Sequence, residues 1–305
     1  MNRALERTTG TRLVRVDGAT PEPAPEPPPQ PAPQPAESGS SSKKTLLITA
    51  PTEDEVRPPA HPETDRLLRR PIFLMTPVRS GSTLLRLMMD RHSMLHAPHE
   101  LHVRRLRVVP TTSLARKAME LLGHDEADLE HLLWDRVLHR ELQLSGKRFI
   151  VDKTPSNTFV YRRIATCWPD ARFIFLLRHP ASIAASWADA SVGKRDRKEA
   201  TRDALSYMRS LEKARSNLSG LTVRYEDLTV DAEKVTREIC AYLDLPWESE
   251  MLEYGGDQQL VKGVGDWSEK IRSGSVQQGR PVPSAEDVPK VLRSISRKWG
   301  YLPDA

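Results

Sequence analysis

Pro71-Ile-Phe-Leu-Met-Thr-Pro-Val-Arg-Ser-Gly-Ser-Thr-Leu-Leu-Arg-Leu-Met-Met89 decides the fold. Ile72 to Met75 is a short apolar run ended by Thr76-Pro77, which reads as a buried strand. From Ser82 to Arg91 the apolar Leu84, Leu85, Leu87, Met88 and Met89 predict a helix entered through small polar residues. Between the two, Gly81 lets the backbone turn tightly, and the helix start offers N–H groups and a positive dipole to an anion. Arg79, Ser82 and Thr83 bring a guanidinium and two hydroxyls to the same spot. The loop is therefore a P-loop-like phosphate cradle. It is not the nucleotide-triphosphatase loop, because no Lys follows Gly81. Taken alone, the same residues would also serve as a plain Ser/Thr cap behind a surface arginine.

Outward from this unit, strands and helices alternate. Arg148-Phe-Ile-Val151, Arg172-Phe-Ile-Phe-Leu-Leu177 and Leu221-Thr-Val-Arg-Tyr225 read as strands. Helices are expected over 113–122, 125–144, 156–168, 180–190, 198–218 and 231–243, with another near 288–298. This alternation predicts a three-layer α/β/α domain with a central parallel sheet over residues 71–305.

Residues 1–70 have another character. They hold thirteen of the 25 prolines, nine of them between Pro21 and Pro35, followed by a serine-rich run from Ser38. Such a stretch buries too little apolar area to offset chain entropy and is expected to be a disordered leader. Ten basic and ten acidic residues leave it neutral, so the formal charge of +5 belongs to the 36 basic and 31 acidic residues that follow. Two cysteines, Cys167 and Cys240, exclude a disulfide framework or a four-cysteine zinc site. No run approaches the roughly 18 apolar residues of a membrane span. With no signal-peptide pattern near Met1, a cytoplasmic setting is expected. A +5 excess without interleaved aromatic and basic residues does not point to nucleic acid.

In an open parallel sheet, ligands bind at the carboxyl ends of strands. The strand 172–177 ends in Arg178-His-Pro180 and leads to Ser186, so Arg178 and Ser186 can converge on one phosphate. With the loop at 76–83, this pair makes the chain resemble the sulfotransferases that use 3′-phosphoadenosine 5′-phosphosulfate (PAPS). Arg79-Ser-Gly-Ser-Thr83 is similar to their first motif, and the likeness runs over about residues 71–282. It implies that Arg79, Ser80, Gly81, Ser82 and Thr83 hold the 5′-phosphosulfate and that Arg178 and Ser186 hold the 3′-phosphate. Tyr225, in Val-Arg-Tyr-Glu-Asp-Leu228, matches a segment whose tyrosine lies near the adenine. In the glycine-rich stretch after Lys262, read as a lid loop, Ser273 or Ser275 falls near a functional serine, and Arg280 near a lysine, of the tyrosylprotein branch, whose motifs are most similar.

Sulfuryl transfer is an in-line displacement in which charge develops on the leaving oxygen. A terminal sulfate carries a single charge, so cationic side chains can neutralise it and no metal is expected. The acceptor hydroxyl needs a general base. Glu100, in His96-Ala-Pro-His-Glu-Leu-His102, stands 21 residues after Arg79, as the base does in the tyrosylprotein enzymes. His99 and His102 stay open as alternatives, since the cytosolic phenol and steroid enzymes use a histidine. Lys153, in Val-Asp-Lys-Thr-Pro155, matches a lysine that faces the transferring group. Glu100, Arg79 and Lys153 form the expected catalytic set, with a small-molecule or carrier-bound hydroxyl as acceptor. Two other readings are an ATP-dependent phosphotransferase, for which Asp152 would hold magnesium, and a non-catalytic nucleotide-binding module recruited through the proline-rich leader.

Overall fold

Five short strands run parallel in the order β2-β3-β1-β4-β5. They are β1 (Ile72–Met75), β2 (Leu95–His96), β3 (Phe149–Asp152), β4 (Arg172–Leu177) and β5 (Leu221–Arg224). Phe73 pairs with Asp152 on one side of β1 and with Phe173 on the other, which makes β1 the central strand. The computed structural model describes residues 61–255 and 281–304, with Pro59, Val276, Gln277 and Gly279. All of them belong to one unit spanning 49–305.

Both faces of the sheet are covered, which is why Ile72–Met75 of β1 and Phe173–Leu177 of β4 are continuously apolar rather than alternating. Phe73, Met75, Phe173, Phe175 and Leu177 point to one core, with Trp134, Met208 and Trp299. Ile72, Leu74, Ile174, Leu176 and Val223 point to the other, with Leu85, Met88 and Ile239. The period of two along each strand thus separates the cores. The helices are α1 (Pro62–Asp65), α2 (Ser82–Asp90), α3 (Ser113–Leu121), α4 (Glu126–Ser145), α5 (Tyr161–Cys167), α6 (Pro180–Ala190), α7 (Arg197–Asn217), α8 (Tyr225–Val230), α9 (Ala232–Tyr242) and α10 (Arg293–Lys298). Asp125 and Asp196 start the two longest, α4 and α7, each through a reciprocal capping box. The architecture is the expected three-layer α/β/α, and no helix among the described residues is long and apolar enough to cross a membrane.

Three elements differ from the sequence reading. β2 has only two residues, too few for a period to show. The helix expected over 156–168 is a 3-10 turn, Pro155–Val160, followed by α5. Val160, at φ −124°, breaks it, while the Asn157 side chain is turned back to Asp152. Tyr225 opens α8 instead of ending β5. The packed chain also begins before residue 71. Leu68 is buried, and the N–H groups of Leu67 and Leu68 donate to the Asp135 carboxylate at 2.7 and 3.2 Å.

The order of the strands positions the site. After β1 the chain lays β2 and β3 on one side, then crosses to lay β4 and β5 on the other. The connections diverge at the carboxyl end of β1, which is where an open parallel sheet forms its ligand crevice. Lys153, at the end of β3, and Arg178, at the end of β4, flank the loop that leaves β1.

Candidate active site

The loop between β1 and α2 is held from within and from both flanks. Thr76 and Ser80 are fully buried, and their hydroxyls share a short hydrogen bond that closes the turn. Arg79 has φ 58° and Gly81 φ 87°, so both backbones are left-handed. Gly81 is the N-cap of α2 and brings no side chain to cap the first turn of that helix. The first turn also holds no acidic residue, and Ser82 and Thr83 are buried within it. An anion facing these N–H groups would meet their hydrogens and the positive end of the helix.

The end of β4 closes on the same loop. Arg79 Nε donates to Ser186 Oγ on α6 at 3.1 Å, and Arg178 donates to the Arg79 carbonyl at 3.0 Å. The Arg178 guanidinium lies over the Tyr225 ring, 4.4 Å from its centroid. That ring in turn packs on Gly81, where an added Cβ would come within 2.2 Å of Tyr225 Cδ2. Arg79, Gly81, Arg178, Ser186 and Tyr225 therefore form one cluster, although they come from three separate stretches of chain. Gly279 approaches the far edge of Tyr225, with an added Cβ 3.4 Å from Cε1. Ser273, Ser275 and Arg280 lie outside the described residues.

On the β3 flank stands an ion pair. Lys153 is 1% exposed, and its Nζ donates to Glu100 Oε1 at 2.5 Å. His102 Nε2 stands 3.2 Å from the other Glu100 oxygen. Burial favours the neutral carboxyl, but the hydrogen bonds and charges of His102 and Lys153 prevail and hold Glu100 below the ordinary carboxylate range. Burial also lowers the Lys153 ammonium, and Glu100 opposes that shift. Loop 100–104 and turn 153–156 meet rung by rung: Glu100 with Lys153, the His102 N–H with Thr154 Oγ1 at 3.3 Å, and Arg104 Nε with Ser156 Oγ at 2.9 Å. His99 is exposed, and its ring stands by the Glu100 carbonyl, so of the two histidines His102 is the one at the carboxylate.

Asp152 does not face this crevice as a bare carboxylate. It is 2% exposed and accepts from Thr154 Oγ1 at 2.8 Å and Asn157 Nδ2 at 2.9 Å. Burial raises its carboxyl despite those bonds. Its job is to shape the turn that presents Lys153. Two nearby histidines stand apart from Glu100, for His92 meets the Pro246 carbonyl while His96 lies between Asp90 and Glu141.

Two residues escaped the sequence reading. Arg86, on α2, is buried and donates to the Ala97 carbonyl at 2.7 Å. Its burial weakens the guanidinium's hold on its proton, partly offset by the charges of Asp90 and Glu100. An arginine amid the leucines of Leu84-Leu-Arg-Leu-Met88 was the available signal. The other is Tyr207, whose ring meets Phe159 edge-on at 4.7 Å beneath Arg104. Nothing in the sequence around α7 marks it.

The arrangement combines a backbone anion cradle with flanking arginines, and a buried lysine against an ionised carboxylate. The first can fix an anionic group, and the second can neutralise charge and accept a proton.

Comparison with known proteins bears on this geometry. The sequence profile of the sulfotransferase family matches residues 71–249. Nodulation protein NoeE of Sinorhizobium fredii is 31% identical over 125 residues, covering 37% of the chain and 30% of that protein. Protein-tyrosine sulfotransferase 2 of Gallus gallus is 23% identical over 261 residues, covering 76% of the chain and 64% of that protein. The chain thus spans less than two thirds of the length of either. Among solved structures, the sulfotransferase domain of the Synechococcus PCC 7002 olefin synthase superposes with a TM-score of 0.57 at 21% identity, covering 82% of the chain and 98% of that domain. The chain belongs to the sulfotransferase family.

Proposed function

We propose that this member of the sulfotransferase family moves the sulfuryl group of PAPS to the hydroxyl of a small-molecule or carrier-bound acceptor. The observation that carries the reading is the convergence on the β1 loop of Arg178 and Ser186 from one flank, with the Lys153–Glu100 pair on the other. The cradle fits a phosphosulfate, since Gly81 keeps the Tyr225 ring against the backbone and the helix start carries no acidic residue. Arg178 and Ser186 would hold a second phosphate, and Arg79 with Ser80, Ser82 and Thr83 the first. The donor supplies an activated sulfuryl group on a phosphate leaving group.

Glu100, ionised at neutral pH, takes the acceptor's proton as its oxygen attacks. Lys153, desolvated in its ground state, neutralises charge on the transferring oxygens more strongly than an ammonium in water could. His102 orients the carboxylate from its free side. Arg104, Phe159 and Tyr207 border the same loop and would receive the acceptor beside Glu100. The ATP-dependent alternative loses its main support, because both Asp152 oxygens are committed within the turn.

Thermal unfolding with 3′-phosphoadenosine 5′-phosphate (PAP) or ATP–Mg²⁺ tests the donor. Stabilisation by PAP alone is expected, and stabilisation by ATP–Mg²⁺ alone would overturn the reading. Incubation with radiolabelled PAPS and fractionated cell extract then identifies the acceptor.

A further inference from the structure

One half-buried linkage joins the C-terminal tail to the proposed nucleotide site. Tyr301 donates its hydroxyl to Glu226 Oε2 at 2.6 Å. The other oxygen of that carboxylate, Oε1, accepts the backbone N–H of His179 at 2.9 Å. His179 directly follows Arg178, and Glu226 directly follows Tyr225, so the carboxylate ties together the two chain segments whose side chains stack at 4.4 Å. Further contacts seat the tyrosine. The His179 ring meets it edge-on at 5.1 Å, and the Arg224 guanidinium lies 4.5 Å from its centroid. Arg224 also donates to the Trp299 carbonyl at 2.5 Å, which fixes the tail beside β5.

We infer that Tyr301 is a positioning residue for the 3′-phosphate subsite, acting through Glu226 to set Arg178 against Tyr225. Glu226 is a carboxylate with two acceptor oxygens, and among the described residues each has one donor from a different part of the chain. Removing the Tyr301 hydroxyl leaves Glu226 fixed less firmly, and the bond to the His179 N–H that aligns residues 178 and 179 at the start of α6 loosens with it. Burial and the Glu226 charge keep the phenol protonated far into alkali, so the hydroxyl donates at every pH at which the enzyme works. The hydroxyl lies two residues beyond a buried tryptophan, and its route to residue 178 runs through Glu226 and the His179 N–H.

The inference rests on the reading of Arg178 as the 3′-phosphate ligand, and its test separates the two. Binding of PAP and of 5′-AMP, which lacks the 3′-phosphate, is measured by calorimetry for the wild type, Tyr301→Phe and Arg178→Ala. A wild type that does not prefer PAP would overturn the site reading itself. Given that preference, Tyr301→Phe is expected to weaken PAP about tenfold, the scale of one hydrogen bond to a charged group, and 5′-AMP less than twofold. The same substitution in the Arg178→Ala background should have no further effect on PAP. Equal losses for both nucleotides, or an undiminished loss in that background, would show a merely structural tyrosine and overturn the proposal. If Tyr301→Phe does not fold, Glu226→Gln, which retains a single acceptor oxygen, gives the same selective loss or refutes it.

Discussion

At the scale of single residues, chemistry converges on Glu100 and Lys153. An amide in place of the Glu100 carboxylate keeps the shape but cannot take a proton. Glu100→Gln should cut turnover by about 10²-fold or more while PAP binding changes less than about twofold. Radiolabel transfer and calorimetry on the same sample check both, and normal turnover would remove Glu100 from the mechanism. The pH dependence has a definite sign. His102 and Lys153 hold the folded-state carboxyl below its ordinary range, so the ionised Glu100 contributes stability above the unfolded value of about 4.3 that is lost as pH falls through the lowered folded value. Lys153→Met removes the cation and leaves His102 alone to oppose burial. The Glu100 carboxyl then rises, and the acid limb of kcat/KM should move to higher pH. An acid limb that stays in place would mean that another group titrates there.

At the scale of elements, the β1–α2 turn was legible in the sequence because its grammar is local. An apolar run, a glycine and a small polar helix start each declare themselves within a few residues. Strands β1, β3 and β4 were legible for the same reason, being apolar runs bounded by turns. What was not legible came from distant contacts. β2 exists because Leu95 pairs with Phe149, and neither residue announces the other. Tyr225 reads as the last residue of a strand, yet it turns into α8 to lie on Gly81 and under Arg178. The resemblance placed it near the adenine without saying what supports it. Gly81→Ala tests that support, because it combines a left-handed backbone with a Cβ 2.2 Å from the Tyr225 ring. Gly146 is the control, with φ 67° and nothing within 4 Å of an added Cβ. Gly146→Ala should cost about 1–2 kcal/mol, the backbone term alone. Gly81→Ala should cost more in urea unfolding and weaken PAP binding, and equal costs would show that Tyr225 moves aside freely.

At the scale of the whole molecule, charge and stability divide along the chain. Residues 1–70 hold ten acids and ten bases, so the excess sits on residues 71–305, whose loop, strand ends and helix start face the same crevice. The composition that marked residues 1–70 as one stretch did not mark where packing begins. Leu67 and Leu68 cap Asp135, a residue 1% exposed that also accepts from Trp168 Nε1 at 2.9 Å. A chain starting at residue 71 leaves that carboxylate with one donor of three and uncovers the Leu68 site. It should be less stable than a chain starting at residue 61 by about 2–5 kcal/mol, read from urea midpoints. Equal midpoints would mean that this docking adds nothing.

The same corner sets part of the acid stability. His131 lies edge-on to Trp168 at 5.1 Å and is 4% exposed, and among the described residues neither ring nitrogen has a hydrogen-bond partner. Burial pushes its pKa down to about 4; the Asp135 charge opposes the shift and Arg163 adds to it. Unfolded, the ring titrates near 6.5, so between about pH 4 and 6.5 the unfolded chain binds more protons. Stability therefore rises with pH through that window and levels off above it. At pH 5 the ring should cost the fold about 2 kcal/mol relative to pH 7. His131→Phe keeps an aromatic ring beside Trp168 and removes the titration. Urea unfolding of the variant at pH 5 and pH 7 should show a stability difference smaller by that amount, whereas the wild-type slope persisting in the variant would place the acid sensitivity elsewhere.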